Sequence, residues 1–201
     1  MLFSDTYLTI EKPVDAIFKE KGSKFLAFAF PVLNEQEIKA ILSLLKKEHH
    51  TANHHCYAYR LGADKLNYRA NDDGEPNNTA GKPILGQLQS NDLTDVLVVV
   101  VRYFGGTLLG VSGLINAYKN SASEVIKLAT IIEKHILFSY SINFSFEHLN
   151  DVMKLMKQLD CKITEQQFDS HCKIQFNIRK ANSELCEEKL KKIQDLKLEY
   201  K

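Results

Sequence analysis

The sequence predicts an α+β protein built of two domains, and three observations carry that reading. All nine glycines lie between Gly22 and Gly113, and all four prolines between Pro13 and Pro83. Both residue types punctuate turns and close backbone approaches, so the first part is loop-rich and the second is plain helix and strand. Residues 96–101 read VLVVVV, a strand apolar on both faces and therefore central in its sheet. Beyond residue 133 the chain reads strand, helix, strand, strand, helix, strand, the split β-α-β order of ferredoxin-like domains. The expected division is 1–132 and 133–201.

Each element has a local reason. Tyr7–Ile10, Ala16–Glu20 and Lys24–Val32 are strand-like, the last alternating and rich in aromatics. Asn34, with Glu37 three residues on, forms a capping box for a helix whose stripe is Ile38, Ile41, Leu42 and Leu45. His54–Leu61 and Leu66–Ala70 form a strand pair around Gly62–Asp64, and a short helix covers Ala80–Gln89. After the strand Asp95–Tyr103, apolar positions from Val111 to Ala129, Tyr118 among them, keep a helical period. In the second part the strands are His135–Phe144, Cys161–Phe168, His171–Arg179 and Leu196–Tyr200. Its helices are Phe146–Leu159 and Asn182–Gln194.

Composition narrows the function classes. The chain of 201 residues is 44% hydrophobic and 25% charged, ordinary for a globular protein. Its net charge of +1 gives no support to a grip on nucleic acid by phosphate neutralisation alone. Cys56, Cys161, Cys172 and Cys186 share no CxxC spacing and suggest free thiols in a reducing compartment. With no signal-like stretch at the start and no run of 18 apolar residues, a cytoplasmic protein without a membrane partner is expected.

Three segments can carry chemistry. In HHTANHHCYAYR (49–60), His54, Cys56, Ala58 and Arg60 share one strand face. A His54/Cys56 pair needs two further ligands for a metal, and no second cluster offers them, so neither metal nor cofactor is assigned. His54 and Arg60 remain an anion-binding or acid–base pair. In NDDGEPNNTAGKPI (71–84), Asp72, Asp73 and Glu75 place three carboxylates within four residues. That turn reads equally as a cation or general-base site and as a solvated Asx turn. Lys82 follows Gly81, but Pro83 stands where a Walker A motif needs Ser or Thr. In RYFGGTLLGVSG (102–113), a strand ending at Arg102 runs through Gly105, Gly106, Gly110 and Gly113 into a helix. That layout presents backbone N–H groups to an anion, or simply allows tight packing.

The strings HHCYAYR (54–60), DDGEP (72–76), TAGKPIL (79–85) and VVVVRYFGGTLLG (98–110) together closely resemble the IMPACT/YigZ family. The resemblance spans roughly residues 15–125. It implies a first domain of the β-α kind found in ribosomal and translation-factor proteins, and a second like a ferredoxin-like domain of elongation factor G. Eukaryotic members are regulators that bind the activator of a translation-control kinase. Bacterial members are linked to nucleic-acid or translation-factor binding, and this chain resembles the bacterial two-domain form. The implied role is a binding or regulatory protein whose partner is RNA, the ribosome, a translation factor or another protein. The alternatives are a metal-assisted hydrolase using Asp72, Asp73, Glu75 and His54, and a plain protein-interaction module. Asn77 and Asn78 replace the family's usual Ser-Gly, and Thr107, Leu108 and Asn116 stand where cations are common.

Overall fold

A computed structural model describes residues 5–169 and 171–201. The chain divides into two compact units, Tyr7–Lys134 and His135–Lys201 with the segment ending at Thr6.

In the first unit the strands are β1 (Thr6–Ile10), β2 (Val14–Glu20), β3 (Ser23–Pro31), β4 (His54–Leu61), β5 (Asn67–Asn71), β6 (Val96–Tyr103) and β7 (Ile131–His135). The helices are α1 (Glu35–Glu48), α2 (Gly81–Ser90) and α3 (Gly110–Leu128). Five strands form an antiparallel sheet in the order β2-β3-β6-β4-β5, and β1 pairs with β7. The VLVVVV strand is central, as its two apolar faces require. Val96, Val98 and Val100 join one core with α2 and α3, while Leu97, Val99 and Val101 join another with Ile38 and Leu45 of α1. Alternation on β4 follows the same rule, sending Cys56 and Ala58 to the α2–α3 side and Tyr59 and Leu61 to the α1 side.

Local chemistry sets the helix ends. Asn34 Oδ1 accepts from the Glu37 amide at 2.9 Å, and Glu37 Oε2 accepts from the Leu33 amide at 2.8 Å. On α3, Leu114, Ala117, Tyr118, Ser121, Ala122, Val125 and Ile126 are buried at spacings of three and four, as one face of a helix demands. The helix stops at Leu128, and β7 follows as a separate strand ahead of the expected strand His135–Phe144, whose observed counterpart begins at Leu137.

The second unit contains β8 (Leu137–Phe144), α4 (Leu149–Gln158, preceded by a 3₁₀ turn at Phe146–His148), β9 (Lys162–Phe168), β10 (Cys172–Arg179), α5 (Lys180–Leu190) and β11 (Lys197–Tyr200). Its antiparallel sheet runs β11-β8-β10-β9, the arrangement that two interleaved β-α-β units produce. Cys172, Ile174, Phe176 and Ile178 alternate inward from β10 to meet Val152, Met156, Cys186 and Leu190.

Candidate binding cleft

The three carboxylates of the DDGEP turn point to three different tasks. Asp72 Oδ1 accepts from the amides of Ala80 and Gly81 at 3.0 and 2.8 Å, and its Oδ2 from that of Asn78 at 2.9 Å. It thereby caps α2, whose own cap residue Ala80 offers no side-chain bond. Gly81 makes this possible, because a Cβ there would lie 2.5 Å from the Asn71 nitrogen. Asp73 Oδ2 accepts from the His55 amide at 2.7 Å, and its Oδ1 meets Lys46 Nζ at 3.1 Å. Burial pushes the Asp73 carboxyl up, but the His55 amide and the Lys46 ammonium outweigh it and hold the group below its ordinary range.

Glu75 alone turns inward. Its side chain is 3% exposed, and Oε1 accepts from Arg102 NH1 at 2.6 Å and from the Tyr118 hydroxyl at 2.7 Å. Arg102 is itself buried, with its guanidinium 5.5 Å from the Phe25 ring centre and 5.6 Å from that of Phe104. Register brings His54 beside Arg102 on the neighbouring strand, with His54 Nε2 3.8 Å from Glu75 Oε1. The His54 Nδ1 lies 2.9 Å from the Asp73 carbonyl, which only accepts, so Nδ1 carries the hydrogen and Nε2 faces Glu75. Cys56 Sγ donates to the Asp72 carbonyl at 3.0 Å and lies 3.3 Å from the Tyr118 hydroxyl. Burial, reinforced by the nearby carboxylates, pushes the Cys56 thiol up. Burial likewise raises the Tyr118 phenol, so neither supplies an anionic nucleophile at neutral pH.

The RYFGGTLLG turn closes the other side. Gly105 packs directly on the β2–β3 turn, where a Cβ would overlap the Gly22 carbonyl group. Asn53 Oδ1 accepts from the Phe104 amide at 3.0 Å and fixes the start of the turn. Between this turn and the charged cluster lies a cleft of about 450 Å³. Its polar walls are Asn53, His54, Glu75 and Arg102, and Gly110 and Val111 of α3 border it. Phe104, Leu108, Leu109, Leu114 and Pro76 supply apolar surface.

Of the residues singled out by sequence, His54, Glu75, Arg102 and Gly110 meet at this cleft. Gly105, Gly106 and Gly113 shape its approach; a Cβ at Gly106 would meet open space, and one at Gly113 would come within 3.0 Å of Leu109 Cβ. Arg60 stands apart from His54, six residues along the same strand or about 20 Å away. Its NH1 donates to the Leu93 carbonyl at 3.0 Å. Lys82 is exposed in a separate shallow groove with Lys119. The cation arrangement of Asp72, Asp73, Glu75 and His54 does not form, since the first two spend their oxygens on backbone amides and Lys46. Among the described residues, no three His, Cys, Asp or Glu side chains gather as metal ligands. Sequence reasoning places Tyr118 in the core and misses its bond to Glu75. A tyrosine within an aliphatic stripe is the available signal, because its buried hydroxyl needs a partner.

Known proteins agree with this architecture. Residues 21–126 match the Impact N-terminal domain. The chain is 33% identical over 168 residues to the Escherichia coli protein "IMPACT family member YigZ", covering 83% of this chain and 82% of that one. It is 35% identical over 159 residues to an "IMPACT family member" of Haemophilus influenzae, covering 77% of each. A crystal structure of a hypothetical protein superposes with a TM-score of 0.78 at 30% identity, covering 98% of this chain and 97% of that one. No helix among the described residues is long and apolar enough to cross a membrane. The shared strings, the match over 21–126 and the relatives spanning most of the chain have one meaning: the protein belongs to the IMPACT family.

Proposed function

We propose that this chain is a regulatory binding protein linked to translation, and that the cleft between β4, β6 and the start of α3 receives its partner. Family membership supports the link, because the resemblance implies translation regulators among eukaryotic members. The same reading takes 1–132 as the Impact domain and 133–201 as a second domain related to one of elongation factor G.

One observation carries the choice of binding over catalysis. Among the described residues, the one carboxylate and the one arginine that line the cleft are paired with each other, while its rim is apolar and open, with Leu108 84% and Val111 60% exposed. Matched and buried charges give shape, and an exposed apolar rim gives contact area for a macromolecule. Among the described residues, Arg102 is the one Lys or Arg lining the cleft, and Glu75 engages it. That favours a protein segment over a phosphate backbone.

Adding the purified chain to a cell-free translation reaction tests this. Synthesis is expected to change with dose, and Leu108→Asp, on the exposed rim, is expected to abolish the change while melting like the wild type. A wild-type chain that leaves synthesis unaltered up to the ribosome concentration overturns the reading.

A further inference from the structure

We propose that the cleft recognises a carboxylate carried on an apolar body, and that its natural source is the C-terminal residue of a protein chain. This deepens the functional reading above and rests on it for the location of the site. The donors come from three directions. Arg102 is more than nine-tenths buried and gives NH1 to Glu75, yet its Nε has no partner. A guanidinium carries five N–H donors in a fixed fork, so Glu75 leaves part of that fork unspent; the Nε is sealed in the core, and Arg102 meets the cleft it lines through the terminal end of its guanidinium. The first turn of α3 reaches the same space through Gly110 and Val111. Leu109 provides no side-chain cap and no acidic residue stands in that turn, so its amides and dipole are not neutralised locally. Asn53 is the third, for its Oδ1 is held by the Phe104 amide and its Nδ2 donors are left over.

The rest of the lining sets the size and charge of the ligand. Among the described residues, Glu75 is the sole carboxylate in the wall, and its Oε1 already accepts from Arg102 and Tyr118. One shared cation and a helix terminus suit a monoanion; a phosphate dianion asks for further cations, and no described lysine lines the cleft. Leu109 and Leu114 offer an apolar seat, and about 450 Å³ lies within the range of small-ligand pockets. The exposed Leu108 and Val111 extend the apolar surface beyond the cavity, where residues preceding a chain terminus would lie. Backbone donors that capture a terminal carboxylate, with a pocket for the last side chain, form a recurrent recognition mode.

Fluorescence anisotropy of the full chain with labelled pentapeptides ending in leucine, as free acid and as amide, tests the proposal. The free acid is expected to bind at least about tenfold more tightly than the amide, the size of one charge-assisted bond. Leu108→Asp is expected to weaken the free acid by about tenfold, whereas Leu108→Lys leaves it equal or tighter. Arg102→Gln should abolish the preference for acid over amide; if that variant unfolds, the Leu108 pair decides alone. Acetyl-leucine that competes as well as the pentapeptide overturns the chain-end source and assigns the site to a free apolar carboxylate. Equal binding of acid and amide, or binding of neither, overturns the carboxylate inference while leaving the translation assay to judge the function. A clear acid preference beside an unchanged translation rate upholds this inference and overturns the functional reading.

Discussion

The two compact units bury different chemistry. Among the described residues, the polar side chains buried in the second unit are Ser141 and Ser183, inside an otherwise apolar core. The first unit buries His55, Arg60, Glu75, Asp95 and Arg102. Burying charge costs several kcal/mol per ion before pairing, and an apolar core would be as stable or more so. The second unit shows that a β-α-β-β-α-β core needs none of this. In the first unit, the Glu75–Arg102 pair and its partners instead fix two turns that flank one cleft. On the proposed function, the difference separates a scaffold from a site.

Substitutions can break or sharpen that contrast. The largest effect is expected for Glu75→Ala, which strands Arg102 and the Tyr118 hydroxyl in the core and should cost about 3–5 kcal/mol in urea unfolding. Gly105→Ala comes next, at about 1–3 kcal/mol, because its methyl group must push the 102–110 turn off Gly22. Asp72→Ala removes the acceptor for three amides at the start of α2 and should cost about 2 kcal/mol, while Asp72→Asn retains part of the cap.

Acidification gives a smaller effect. Burial lowers the His55 imidazole below its ordinary 6.5, more than the neighbouring Asp73 carboxylate raises it. The unfolded chain therefore takes up this proton first. The associated stability is fully present above pH 6.5 and is lost as pH falls from there through the lower folded value. Asp73, also depressed, adds a further loss below about its ordinary 3.8. The melting temperature should thus decline from pH 6.5 toward 5, and His55→Gln should flatten that decline. Smallest of all is Ser141→Ala in the second unit, expected within about 0.5 kcal/mol of wild type, since the Ser141 hydroxyl is buried without a partner.

Much of the fold is legible in the chain itself. Alternation on VLVVVV places β6 at the centre, and Asn34 with Glu37 marks the start of α1. Periodicity reports which face is buried, and these elements bury a single kind of surface. The site is legible in composition but not in role. Asp72, Asp73 and Glu75 stand within four residues, yet the left-handed backbone at Asp73 and Gly74 sends their side chains in different directions. Such divergence depends on tertiary partners: the α2 amides for Asp72, Lys46 for Asp73 and Arg102 for Glu75. His54 and Arg60 share a strand face, but period two says nothing about the length of strand between them. Phe104 and Leu108 give no periodic signal at all, and Val111 opens the helical period of α3 yet stands exposed, because an apolar rim follows neither a strand nor a helix pattern.

The most direct test of the cleft as the working surface is site-specific photo-crosslinking in cells. A photoreactive phenylalanine analogue at Leu108, on the rim, is compared with one at Leu128, likewise solvent-facing at the far end of α3. The expected result is a discrete crosslink from position 108 to a ribosomal protein or translation factor, competed away by unlabelled wild-type chain, and none from position 128. Crosslinks of equal pattern from both positions, or none from 108 while the chain still alters translation, would contradict the cleft's role.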